Sequence, residues 1–305
     1  MCLRSTVFVI CFLGLSLLAS CSSKEPPAPV KKPAAQKLVI GLIPEQNLFR
    51  QMERYGPLMV YLGKKTGVRY ELKVLSRYGN IVNNFKSLEL DGAFFGSFSY
   101  ALARQRMGLV VLARPENLKG ASTYHGMLFV RKDSGIRSVK EMKGKRLACV
   151  DKATTAGYLL PMAYFFENGI PDPRKYLKEI YFTGTHEDAI RDVLEGKADI
   201  GAAKNTVFER IAAQDFRVGR MLNVLAVSPN VPENSLALRA DIGDGLAVKI
   251  KDTLLAMDQD PEGAEILKGF GARRFIETRD PEYDPVFLYA REAGIDLATY
   301  DYLNE

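Results

Sequence analysis

The run Asp151-Lys152-Ala153-Thr154-Thr155-Ala156-Gly157 gathers hydroxyls, charge and small residues in one short stretch. It follows the apolar segment Arg146 to Val150 and leads into Ala156 to Asn168, so the spacing predicts a strand, a loop and a helix N-terminus. The first N–H groups of a helix have no acceptor inside it, and the macrodipole favours negative charge there. Two hydroxyls beside such donors suit an anion, although Thr154 or Thr155 would serve equally as an ordinary N-cap. Other polar residues stand at comparable places. Glu45 closes the first apolar run, Ser97 opens a helix after Phe94-Phe95-Gly96, and His186 opens the helix of Glu187. An imidazole there can donate to an oxyanion, or simply cap the helix or face solvent. Tyr78 can cover the same region, Phe95 can wall it or pack in a core, and Asn205 offers a neutral amide beside Lys204.

These residues need a scaffold, and the chain alternates strands with helices, the pattern of an α/β fold with a largely parallel sheet. Leu38 to Ile43 reads as a buried strand ending at Pro44, Arg54 to Thr66 as an amphipathic helix stopped by Gly67, and Tyr70 to Leu75 as a strand. Met127 to Arg131 is a further strand, and Pro161 lies awkwardly inside the helix 156–168, where it removes a hydrogen bond. One unit occurs twice. A short helix ending at Asp91 leads into Gly92-Ala93-Phe94-Phe95-Gly96 and a new helix start, and a helix ending at Asp199 leads into Ile200-Gly201-Ala202-Ala203 and Lys204-Asn205-Thr206. The stretch 37–305 also exceeds the roughly 250 residues that one core usually serves. Two lobes of one architecture are expected, with facing strand ends forming a cleft, since open α/β sheets bind ligands outside their carboxyl edges.

Residues 1–20 carry Arg4 and an apolar run from Val7 to Leu18, too short to span a bilayer and suited to an export signal. Leu18-Ala19-Ser20-Cys21 follows, the form of a lipoprotein cleavage site at which Cys21 is acylated. Four prolines between Ser22 and Gln36 predict an extended stalk of roughly 45 Å in the linker 21–36. Loss of the signal leaves Cys149 as the body's remaining cysteine, a buried small hydrophobe that cannot form an intramolecular disulfide. It also leaves one basic side chain fewer than the full chain's 42, against 36 acidic, too small and dispersed an excess for nucleic acid. No HExxH, CxxC or GxGxxG occurs, and two histidines with one buried cysteine form no catalytic group, so an enzyme is not expected.

Gly41-Leu42-Ile43-Pro44-Glu45, Tyr78 to Gly96, Tyr124 to Asp133, Thr154 to Pro161, Gly184-Thr185-His186 and Tyr283-Asp284-Pro285-Val286 together resemble the phosphate/phosphite/phosphonate-binding proteins of ABC importers. The resemblance runs from Leu38 to about Asp296. It implies a two-lobed type II periplasmic binding protein with a ligand cleft between the lobes. Lobe 1 would comprise 37–124 plus 226–305 and lobe 2 would comprise 125–225. It further implies a small oxyanion held by Thr154 and Thr155, a ligand-facing Tyr124, permease and ATPase partners, a monomer, and neither cofactor nor metal. Three positions depart from the family pattern. Ala156 replaces a hydroxyl residue, Phe95 stands near where the family more often has a tyrosine or tryptophan, and Asn205 stands at or near a position where relatives that bind aminoalkylphosphonates often carry a carboxylate. Those departures keep open a sulfonate, nitrate or neutral metabolite as ligand, and a sensor kinase as partner.

Overall fold

The structure is a computed structural model that describes residues 36–45 and 47–304. The expected signal 1–20, Cys21 and all of the stalk before Gln36 lie outside the described residues. Thirteen strands occur among the described residues. In chain order they are β1 (Lys37–Leu42), β2 (Arg69–Val74), β3 (Gly92–Phe95), β4 (Leu109–Asn117), β5 (Thr123–Tyr124), β6 (Gly126–Arg131) and β7 (Arg146–Cys149). The rest are β8 (Glu179–Phe182), β9 (Ile200–Lys204), β10 (Leu222–Val227), β11 (Val231–Pro232), β12 (Ser235–Arg239) and β13 (Ala272–Glu277).

Two sheets result. A six-stranded sheet runs β13-β4-β12-β3-β1-β2 and a five-stranded sheet runs β10-β6-β9-β7-β8. The first therefore takes strands from both ends of the chain and the second from its middle. The pair β5–β11, Tyr124 opposite Val231, lies where the chain leaves one sheet and returns to it. The sheets are more mixed than the alternation suggests. β1 is parallel to β2 and β3, and β7 to β8 and β9, but β12 is antiparallel to β3 and β4, and β6 to β9 and β10. β12 and β6 are the strands by which the chain enters each sheet from the other, and they run against their neighbours; at the edge of the larger sheet β13 is likewise antiparallel to β4. Strands built through helical crossovers stay parallel.

The repeated unit is real in three dimensions. β2-β1-β3-β12 and β8-β7-β9-β6 present the same order and the same senses. Both cores are dry: Ile40, Leu58, Leu62 and Leu238 in one lobe, and Leu128, Leu147, Ile190 and Ile200 in the other, are fully buried. Cys149 is free and buried.

Helix limits differ from the sequence reading where polar caps carry the signal. The first helix spans Leu48–Thr66, because the Asn47 side chain accepts from the Phe49 N–H at 2.9 Å and starts it a turn and a half early. It still stops at Gly67, whose φ of 77° is the left-handed conformation that favours glycine. Pro161 is accommodated by a local change of winding. A π-turn over Thr155–Leu159 precedes the α-helix Leu160–Glu167, with the Leu159 N–H donating to the Thr154 carbonyl at 3.1 Å. Proline then falls in the first turn of the α-helix, where its missing N–H costs nothing.

Candidate functional site

The segments after β1, β2, β3, β7 and β8, the end of β9 and the crossing segments at Tyr124 and Asn234 converge on a small enclosed cavity of about 10 Å³. Its walls include Glu45, Tyr78, Tyr124, Thr154, Thr155 and His186, all singled out from sequence, together with Lys204 and Asn234. A wider cavity of about 560 Å³ lies beyond Glu45 and Lys204, with Arg50, Arg54, Lys119 and Arg210 on its walls.

The hydroxyl loop is fixed from both sides. Asp151 accepts the Ala153 N–H on Oδ1 and the Asn304 side-chain amide on Oδ2, both at 2.8 Å, while Asn304 Oδ1 accepts the Lys152 N–H at 2.9 Å. Tyr300 adds a bond from its hydroxyl to the Lys152 carbonyl at 2.8 Å. The end of the chain thus straps the loop in place. Gly157 lets the helix start press on the strand: a Cβ there would stand 2.4 Å from the Val150 side chain. Thr154 does not cap the helix, because its hydroxyl donates to the Asp151 carbonyl at 2.6 Å. Thr155 reaches across the cleft. Its Oγ1 accepts the Phe98 N–H at 3.1 Å and shares a 3.1 Å bond with the Tyr124 hydroxyl.

Lys204 is the charged centre of the site. It ends β9 and is 3 % exposed, with Nζ donating to Glu45 Oε1 at 2.9 Å, to Glu233, and to Asn234 Oδ1 at 3.2 Å. It also lies 4.3 Å from the centre of the Tyr124 ring. Burial alone would depress the ammonium, but Glu233 and Glu45 override that and hold its pKa above the ordinary value. Burial likewise opposes the Glu45 carboxylate, and Lys204 with Arg54 nevertheless lowers it to about 2. His186 is the reverse case. Burial lowers it to about 3, more than Glu45 can offset, so the imidazole is neutral. Its Nδ1 accepts the Lys204 N–H at 3.3 Å, which leaves the hydrogen on Nε2.

Two donors on these walls are sealed from solvent. The Tyr78 hydroxyl and the Asn234 side-chain amide nitrogen have no hydrogen-bond partner among the described residues. Tyr78 meets the His186 ring edge-on at 6.0 Å. Unpaired buried donors of this kind cost roughly 1–3 kcal/mol each.

Three sequence candidates are placed elsewhere. Ser97 is buried, but its hydroxyl donates to the Pro232 carbonyl at 2.5 Å and so secures β11. Phe95 packs into the lobe core, stacked on Phe85 at 6.4 Å and edge-on to Tyr100 at 6.2 Å. Asn205 does not line the inner cavity: its Oδ1 accepts the His125 N–H at 3.0 Å and its amide donates to Glu209 at 3.4 Å. It ties a helix start to β6, one residue past the side chain that matters. Lys204, Glu233 and Asn234 are the residues that sequence reasoning missed. A lysine closing an otherwise small and apolar strand was the available signal for the first, while Glu233 and Asn234 lie on a crossing segment with no motif.

This geometry, two α/β lobes with a buried polar chamber between their strand ends, is that of a two-lobed type II periplasmic binding protein. The family model for periplasmic substrate-binding proteins of phosphonate ABC transporters matches residues 40–283, and the chain belongs to that family. Among curated relatives, a probable phosphite-binding ABC transporter protein from Prochlorococcus marinus is 25% identical over 81% of this chain and 86% of its own length. A phosphate-import protein from Mycolicibacterium smegmatis is 27% identical over 82% of this chain and 81% of its own. The fold matches the solved Prochlorococcus marinus protein in complex with methylphosphonate, with a TM-score of 0.75, 23% identity, and coverage of 85% of this chain and 98% of that one. The chain is therefore a substrate-binding component of an ABC importer.

Proposed function

We propose that the inner cavity captures a small phosphorus oxyanion (phosphonate, phosphite or phosphate) and that the two lobes close over it. The observation that carries this is the pair of sealed donors with no partner among the described residues, Tyr78 Oη and Asn234 Nδ2, on residues that line the same cavity as the helix start at Thr155. Such donors are satisfied by an acceptor-rich guest, and the neutral His186 adds a further N–H. At about 10 Å³ the cavity suits about one water, so the lobes must part to admit a tetrahedral anion. Closure then exchanges solvent for fixed protein donors. Relatives named for phosphite and phosphate, and one solved with methylphosphonate, support the same ligand class.

A ligand that binds the folded state alone stabilises it by about 2.7 kcal/mol at a hundred times its dissociation constant. Thermal unfolding with methylphosphonate, phosphite and phosphate should show such a rise for at least one of them. Silence with all three, and a rise with a sulfonate, nitrate or neutral solute, would contradict the reading.

The captured ligand is handed to the permease and ATPase of the importer. Leu18-Ala19-Ser20-Cys21 and the proline-rich stretch after it support a lipid anchor on Cys21 with a stalk to the body. Cys21→Ser should then lose the protein from the membrane fraction or leave it with its signal attached. A mutant of normal mature mass in membranes would refute the anchor.

A further inference from the structure

Arg210 lies in the helix Asn205–Gln214 that follows β9, and it lines the wider cavity of about 560 Å³. That cavity abuts the inner one, because Glu45 and Lys204 wall both. Nε and Nη2 of Arg210 are sealed from solvent and have no hydrogen-bond partner among the described residues. These two nitrogens form one edge of the guanidinium, the fork that grips a carboxylate or phosphate through two parallel bonds. The charges around it are otherwise engaged. Lys204 takes Glu45 and Glu233, and Lys119 meets Glu209 at 3.3 Å. Arg54 donates from Nε to the Phe270 carbonyl at 2.8 Å, and Arg50 donates to Gln214 at 3.2 Å. Glu53, the remaining carboxylate on these walls, is exposed. Burial pulls Arg210 below its ordinary pKa and Arg54 adds to this, while Glu45, Glu187 and Glu233 pull it up. A guest anion on the fork would answer both the burial and the unmade bonds.

We propose that the Arg210 fork is a second anion site, and that the ligand is bifunctional: a phosphonate whose substituent ends in a carboxylate. This rests on the phosphorus-oxyanion reading above and adds the far end of the ligand. Arg210 follows β9 and the hydroxyl loop follows β7, neighbours in the five-stranded sheet, so one lobe carries both anion sites and keeps their spacing as the cleft opens. Glu45 follows β1 in the other sheet. It moves away when the lobes part, which opens the wall between the two cavities beside Lys204. An ammonium at the far end of the ligand would instead meet a buried like charge.

Calorimetric titration of the full chain with phosphonoacetate, phosphonopropionate and phosphonobutyrate tests this, each beside the alkylphosphonate of the same chain length. At least one of the acids should bind at least about tenfold more tightly than its neutral counterpart. Aminopropylphosphonate should bind more weakly than propylphosphonate. Arg210→Gln should bring the acid and its counterpart to within about twofold of each other. Arg210→Lys keeps the charge without the fork and should retain only part of the preference. If neither variant folds, the wild-type comparisons still decide. Acids that bind no better than their neutral counterparts, tighter binding of the ammonium ligand, or a preference that survives in Arg210→Gln would overturn the proposal while leaving the ligand class intact. No binding of any phosphonate, methylphosphonate included, would overturn the ligand class and this inference with it.

Discussion

β1 and β7 hold the same place in their sheets, and so do β3 and β9, yet the two lobes bring opposite chemistry to the cleft. After β7 comes the hydroxyl loop with a helix start, and β9 ends in Lys204. After β1 comes the Glu45 carboxylate, and β3 runs into Gly96 and Ser97, whose hydroxyl is spent on β11. Lobe 2 thus supplies an ammonium, an imidazole and two hydroxyls. Lobe 1 and its returning segment supply two carboxylates, two phenols and an amide. One architecture was enough to aim both edges at one point. The difference in side chains makes the closed cleft a joint between unlike halves.

The largest effect should come from removing the charge at the centre of that joint. Lys204→Met leaves the buried Glu45 and the half-buried Glu233 without their cation, and breaking a buried pair such as Lys204–Glu45 costs about 3–5 kcal/mol. Chemical denaturation should show that loss. The combined change Lys204→Met with Glu45→Gln and Glu233→Gln should recover most of it. A single mutant as stable as the wild type would mean the lobes do not meet through Lys204.

A smaller effect is expected at His186. Its folded pKa, about 3, lies below the ordinary value of 6.5, so the unfolded chain binds a proton that the folded chain refuses. Stability from this group is present above pH 6.5 and declines as pH falls from there toward 3. His186→Asn keeps an acceptor for the Lys204 N–H and removes the titration. Unfolding measured from neutral to acid pH should fall less steeply in the variant; parallel curves would show that His186 titrates normally.

Much of this was legible in the chain. The alternation of elements, the repeated unit and the carboxyl-edge rule pointed to Glu45, Tyr78, Thr154, Thr155 and His186, the family resemblance added Tyr124, and all six line one cavity. Residue types failed where orientation decides. Asn205 and Lys204 are neighbours, and the turn from β9 into the helix sends the lysine inward while the amide binds the His125 backbone. Nothing local distinguishes them except that a strand's last residue and a helix's first point different ways. Glu233 and Asn234 were invisible because they act through a long-range return of the chain, 29 and 30 residues from Lys204. The strap formed by Tyr300 and Asn304 was missed for the same reason.

The central claim is that sealed donors between unlike lobes await an oxyanion, and Tyr78→Phe tests it most directly. The change removes a buried hydroxyl with no partner among the described residues and leaves the ring in place. Without ligand, the variant should be as stable as the wild type or slightly more so, because an unsatisfied group has gone. Its affinity for methylphosphonate should fall at least about tenfold, about 1.4 kcal/mol. Calorimetric titration beside a thermal melt reads both quantities. Affinity within a factor of about two of wild type, or a marked loss of stability without ligand, would contradict the account.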